Sequence, residues 1–226
     1  MRINYKAMVT LLFAGASLTG CNRSAEVHYR VTVEIDDRGT VRSGSSVWSF
    51  TLTKSIVPLV SPYNFRFQGQ AVAVQLPGRG TLFALFKSVE MYPENLFGDL
   101  RRPRPGPPRF SDRVKDLRHI KEMSGASAKL DCINPPWVGV NCPTLVRFRN
   151  INDPTTIEVV DPDNLAASFG KDVRLKSVTV QITSDPVTTG IEKTLPWLNN
   201  LNRYRKDPDN PFTSTLSPDI SYIRSH

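Results

Sequence analysis

The sequence predicts a mainly β fold, an antiparallel sandwich or open barrel with one or two short helices. Three observations predict it. Residues 27–35 alternate without a fault: Val27, Tyr29, Val31, Val33 and Ile35 fall on one face, His28, Arg30, Thr32 and Glu34 on the other. Further apolar runs of strand length follow, separated by turn residues. Eighteen prolines and thirteen glycines among 226 residues favour turns over long helices. An α+β fold, with one helix packed on a sheet, is the alternative.

The elements follow in chain order. Residues 27–35 form a half-buried strand, and Asp36-Asp37-Arg38-Gly39 a turn with Gly supplying positive φ. Residues 46–53 give a second strand with Trp48, Phe50 and Leu52 on one face. Over 65–76 the apolar parity switches near Gly69, from Phe65 and Phe67 to Val72, Val74 and Leu76, which predicts a bulge at Gly69. Pro77-Gly78-Arg79-Gly80 turns the chain into residues 81–86, apolar on both faces and therefore central. Residues 93–110 read as an extended, polyproline-like basic loop. Ser111 then caps a helix over 112–123, with Gly125 as its stop. Residues 144–149 and 155–160 read as strands. Asp161 caps a small helix with Pro162 at its first position and Gly170 at its end. Residues 173–183 form the last strand, with Val178, Val180 and Ile182 alternating. One domain is expected over 27–202, and 203–226 as a loose polar tail.

The head of the chain has a different logic. Residues 1–6 carry Arg2 and Lys6, and residues 7–16 are a short apolar core. At about 1.5 Å per residue that core is too short for the ~30 Å hydrocarbon layer, so residues 1–20 read as a cleaved secretion signal. The segment ends in Leu18-Thr19-Gly20-Cys21, which resembles the lipobox of bacterial lipoproteins. The resemblance implies diacylglycerol on the Cys21 thiol, cleavage before it and acylation, typically palmitate, of the new amino terminus. One acyl chain holds a protein marginally, at about 0.8 kcal/mol per buried CH₂, and the three implied here hold it stably. In that family Asp after the cysteine retains the protein in the inner membrane. Asn22 therefore points to the outer membrane, facing the periplasm. Residues 21–26 read as a lipidated tether.

Removing residues 1–20 takes Arg2 and Lys6 with it, so the formal charge falls from +8 to +6. Cys132 and Cys142 then remain, ten residues apart around a turn-rich loop. An oxidising compartment favours a disulfide between them. The rival, free or metal-binding thiols, lacks nearby histidine ligands.

No catalytic, metal or cofactor motif emerges. The three histidines, His28, His119 and His226, have no partners at ligand spacing. No Gly-x-Ser-x-Gly or supported Ser-x-x-Lys occurs. Asp161-Pro162-Asp163-Asn164 lacks the spacing of a calcium loop. The one concentrated surface signal is Arg101, Arg102, Arg104 and Arg109, suited to anionic lipid, lipopolysaccharide phosphates or an acidic envelope protein. Nucleic acid is not an expected partner of an anchored, secreted chain.

Three phrases, Arg42-Ser43-Gly44-Ser45-Ser46, Leu165-Ala166-Ala167-Ser168-Phe169-Gly170, and Thr189-Gly190-Ile191-Glu192 with Leu195-Pro196-Trp197-Leu198, are similar to those of a family of uncharacterised bacterial lipoproteins. The resemblance implies placement and fold, and no activity. The expectation is a lipid-anchored envelope protein acting as a non-enzymatic binding or interaction module. The alternative is an envelope hydrolase, or an inhibitor of one, with a site assembled from distant residues.

Overall fold

A two-residue turn sets the first hairpin. β1 (Ser24–Asp37) and β2 (Thr40–Lys54) are joined by Arg38 and Gly39, both at positive φ (55° and 81°). Two such residues make the turn whose twist matches antiparallel strands, and the Asp36 carboxylate accepts from the Gly39 N–H at 2.6 Å. In this computed structural model the described residues are 24–55, 63–85, 92–97, 109–130, 132, 142–200 and 224–225.

The architecture is two antiparallel sheets packed as a sandwich, with no closed barrel among the described residues. The larger sheet adds β3 (Tyr63–Gln70), β6 (Ser127–Leu130), β9 (Val173–Thr183) and β10 (Arg224–Ser225), in the order β10-β3-β2-β1-β9-β6. The smaller contains β4 (Val72–Leu76), β5 (Gly80–Leu85), β7 (Thr144–Phe148) and β8 (Ile157–Val159), in the order β4-β5-β7-β8. The alternation in β1 does what its pattern predicts: Val27, Tyr29, Val31, Val33 and Ile35 are fully buried on the inner face. Trp48, Phe50 and Leu52 of β2 join them.

That inner face has two covers. The smaller sheet contributes Val72, Val74, Leu76, Leu82 and Ala84 to the core. Helix α2 (Phe110–Glu122) contributes Val114, Leu117 and Ile120. The helix runs across the larger sheet from β3, where Arg113 lies over the Tyr63 ring, to β9, where the Gly125 N–H donates to the Ile182 carbonyl at 2.9 Å.

The predicted bulge at Gly69 is corrected. Residues 65–76 are not one strand: β3 ends in the larger sheet at Gln70, and after buried Ala71 the chain starts β4 in the smaller sheet. The parity switch marks this change of sheet. Gly69 is required because a Cβ there would fall 2.4 Å from the Trp48 ring. A bulge does occur in β9, where Leu175 pairs with Ile35 but Ser177 pairs with Glu34. Lys176 is the extra residue, and inward parity passes from Val173 and Leu175 to Val178, Val180 and Ile182.

β5 is central, as its double apolarity predicts. Leu82 and Ala84 face the shared core, while Phe83 and Leu85 face a second cluster. Ile191, Leu195, Trp197 and Leu198 complete that cluster from the C-terminal turns, so the segment from Thr188 docks. The Trp197 indole N–H donates to the Ile151 carbonyl at 2.9 Å.

Several local expectations change. Residues 93–97 are not polyproline-like. They form helix α1 (Pro93–Phe97), with proline at the first helical position, where its missing N–H costs nothing. Ser111 does not cap α2. The helix starts two residues earlier, with Arg109 extended as the cap and the Asp112 carboxylate accepting from the Arg109 N–H at 3.3 Å. Asp161 makes a local turn to the Asp163 N–H instead of a helix cap. Asn164 caps α3 (Leu165–Phe169) by accepting from the Ala167 N–H at 3.3 Å, and Gly170 ends it at φ 90°. Residues 24–26 of the tether expected over 21–26 belong to β1, with Ala25 already buried, and residues 21–23 lie outside the described residues. Within the tail expected to be loose, Arg224 and Ser225 pair with Gln70 and Gly69. The rest of 201–226 lies outside the described residues.

Gly44 tests the sheet packing. A Cβ there would lie 2.1 Å from the Ala73 backbone oxygen, so neither partner can yield by a rotamer change. Gly44→Ala should cost at least about 2–3 kcal/mol, read as a fall in the urea midpoint. An unchanged midpoint would show that the sheets are not in backbone contact there.

Candidate functional site

The residues singled out from sequence fall at separate places. Cys21, Arg101, Arg102, Arg104 and His226 lie outside the described residues. Arg109 is exposed at the start of α2. His119 is exposed on α2, with its Nδ1 3.9 Å from the Glu122 carboxylate. Cys132 and Cys142 are brought together as a disulfide with Cα atoms 5.2 Å apart. Cys132 is buried against the main core.

Among the described residues, His28 gathers partners from two segments. It sits on the outer face of β1, where its Nδ1–H donates to the Asp185 carbonyl at 2.8 Å. Its Nε2 lies 3.4 Å from the Glu26 carboxylate. Two residues along, the Arg30 guanidinium pairs with the Asp185 carboxylate. That carboxylate also accepts from the Thr183 hydroxyl at 2.7 Å. The Thr183 and Arg30 hydrogen bonds hold Asp185 below its ordinary titration range.

These contacts fix residues 184–190 as a strap over the outer face. The strap ends at β2, where β3 has left the sheet edge. There the Thr188 N–H donates to the Val47 carbonyl at 3.0 Å, and the Val47 N–H donates to the Thr188 hydroxyl at 2.8 Å. Ser49, directly opposite His28 in the β1–β2 register, is fully buried, so its hydroxyl is closed to any substrate.

A second polar cluster sits where α1 meets α2. Arg113 donates to Glu94 at 2.8 Å, each side chain being only 13 % exposed. The guanidinium also lies 5.0 Å from the Tyr63 ring centroid and 5.3 Å from that of Tyr92. Burial alone would weaken the Arg113 charge. Glu94, with Tyr63, outweighs that and raises its titration above the usual value. Tyr92 stacks on Phe67 and meets Phe50 and Phe65 edge-on, and Phe65 remains 47 % exposed.

A third arginine ties the two sheets. Arg79, from the β4–β5 turn, donates to the Phe169 carbonyl at 2.7 Å and lies 3.5 Å from the Asp37 carboxylate. Sequence reading missed Arg30–Asp185, Arg79–Asp37 and Arg113–Glu94. Each is an ordinary arginine in a chain of 29 Lys and Arg, and no local pattern marks its partner.

Among the described residues no three His, Cys, Asp or Glu side chains gather as a metal site. No helix there is long and apolar enough to cross a membrane. Searches against protein-family models, curated proteins and solved structures find no match to this chain.

Two predictions follow from these contacts. Asp185 titrates below its ordinary value of 3.8 in the fold, so its contribution is present above that value and lost as pH falls through the folded one. Asp185→Asn should therefore lower stability at pH 7, with the gap to wild type closing below about pH 4 in paired urea titrations. A gap that widens in acid would reverse the sign. Replacing Cys132 and Cys142 by Ala should cost about 2–3 kcal/mol, measured as the shift in midpoint against the oxidised protein.

Proposed function

We propose that this chain is a lipid-anchored protein of the bacterial envelope. Cys21 carries the lipid, the outer membrane holds it, and the domain faces the periplasm as a non-enzymatic binding or interaction module. One observation supports the anchor most directly: the first described strand is already in place at Ser24, three residues after Cys21. Cleavage before Cys21 would remove residues 1–20 and no described part of either sheet. The partner chemistry remains that of an anionic surface, since Arg101, Arg102, Arg104 and Arg109 form one basic run in sequence.

The hydrolase reading, or that of an inhibitor of one, draws on the His28–Glu26 contact alone. The His28 ring is engaged on Nδ1 by the strap, and the serine opposite is buried. A role for His28 in holding the strap accounts for the same contacts, so the binding-module reading is preferred.

The anchor is tested by Cys21→Ala in cells fed labelled palmitate. Acyl labelling should vanish and precursor of full length should accumulate. Undiminished labelling would overturn the assignment.

A further inference from the structure

The anchor point and the strand register together decide which end of the domain meets the membrane. Cys21 to Arg23 can span only about 10 Å, at roughly 3.3–3.6 Å per residue. Ser24 is therefore held close to the headgroups if Cys21 is lipidated. The register then names its neighbours. Ser24 pairs with Thr53, which pairs with Asn64. Ala25, Leu52 and Phe65 form the next rung, and Lys54 with Tyr63 lies one rung beyond Ser24 on the membrane side. Rungs are about 3.3 Å apart, so all of these lie within a few ångströms of the same height.

Helix α2 starts at this end as well. Its Arg113 stacks on Tyr63, and Arg109 is one helical turn earlier. Among the described residues this end therefore carries exposed Lys54, paired with Tyr63, and exposed Arg109, a turn before the Arg113 that lies over Tyr63, with Phe65, two residues on from Tyr63, 47 % exposed. Among the described carboxylates near this end, Glu94 is neutralised by Arg113, Glu26 lies against His28, and Asp112 is turned back onto the Arg109 N–H. Cations flanking an exposed aromatic suit the boundary between headgroups and acyl chains. The opposite end carries the Arg38-Gly39 turn.

We propose that the end of the domain bearing Lys54, Phe65 and Arg109 rests on the anionic phospholipid headgroups of the leaflet that holds the Cys21 lipid. This rests on the anchoring reading above. It adds an orientation: the sheets stand with the Ser24 end down and the β1–β2 turn away from the bilayer.

The test uses the full lipidated protein in phosphatidylcholine–phosphatidylglycerol vesicles with brominated acyl chains, which quench nearby indoles. Phe65→Trp should lose emission relative to unbrominated vesicles, after subtraction of the wild-type signal. Val41→Trp, close to the far turn, should not. Lys54→Glu combined with Arg109→Glu should lower the quenching at position 65 towards that at position 41. So should vesicles of phosphatidylcholine alone. If acyl label on Cys21 is absent, the anchoring reading itself fails. If the label is present but position 65 is quenched no more than position 41, the proposed orientation is wrong. Equal quenching at position 65 in uncharged vesicles would remove the anionic component.

Discussion

Where β2 crosses β4, no side chain separates the two backbones. A Cβ on Gly44 would meet the Ala73 carbonyl oxygen at 2.1 Å, and Val74 already fills the space beside it at 3.2 Å. Sheets in a sandwich ordinarily stand about 10 Å apart, with side chains from both faces between them. At this crossing the two backbones are in contact. Trp48, Phe50 and Tyr29 share one core with α2. Gly69 answers a second close approach. The Trp48 ring lies flush against the backbone of the neighbouring strand, in space that any side chain at position 69 would occupy. Two glycines thus set the spacing on which the large aromatic residues depend.

The consequences pass outward through β3 and β5. Because β3 leaves the larger sheet at Gln70, β2 loses its neighbour at Val47, and an unpaired strand edge invites association. The strap fills the gap, and its Thr188 uses both the N–H and the C=O of Val47. The Arg30–Asp185 pair is half exposed and contributes little as an isolated ion pair. Its effect is positional, fixing the strap so that Thr188 reaches the edge. The same segment continues to Ile191, whose N–H donates to the Gln70 side chain at 2.9 Å, and then to the cluster against Phe83 and Leu85. One stretch of chain therefore closes an edge of the larger sheet and the outer face of the smaller.

The parts legible in sequence are those governed by local periodicity. The β1 alternation, the Arg38-Gly39 turn and the doubly apolar β5 each follow from side-chain pattern, and all three stand as read. The parity switch near Gly69 was visible too, but a change of parity signals equally a bulge or a crossing between sheets. Only the identity of the partner strand separates them. The β9 bulge at Lys176 shows the converse, because Ser177 blurred the switch there. Caps were misplaced by two residues at α2 and three at α3: Asp161 and Asn164 are both competent acceptors and packing selects between them, while α2 starts at Arg109, whose side chain gives no cap signal in sequence. The strap and the Arg113–Tyr63–Tyr92 stack join residues far apart in sequence. No window of the chain contains them.

The proposed anchor changes what a weak surface must accomplish. A free domain needs several kilocalories of interaction to stay on a bilayer, whereas a lipid supplies that affinity at one point. What remains is to choose an orientation. A tether of about 10 Å keeps the nearest charges within roughly one Debye length of the headgroups, where each Lys or Arg contributes about 1 kcal/mol. Lys54 and Arg109 together then bias the population of upright over tilted domains by about one order of magnitude or more. Longer spacers relax this coupling, because the local concentration of the surface falls steeply with linker length. With Ser24 already paired in β1, at most three residues separate Cys21 from the sheet, which leaves no such slack. On that reading the short tether and the basic, aromatic end act together: lipid sets the residence time, and Lys54, Phe65 and Arg109 set which way the sheets point.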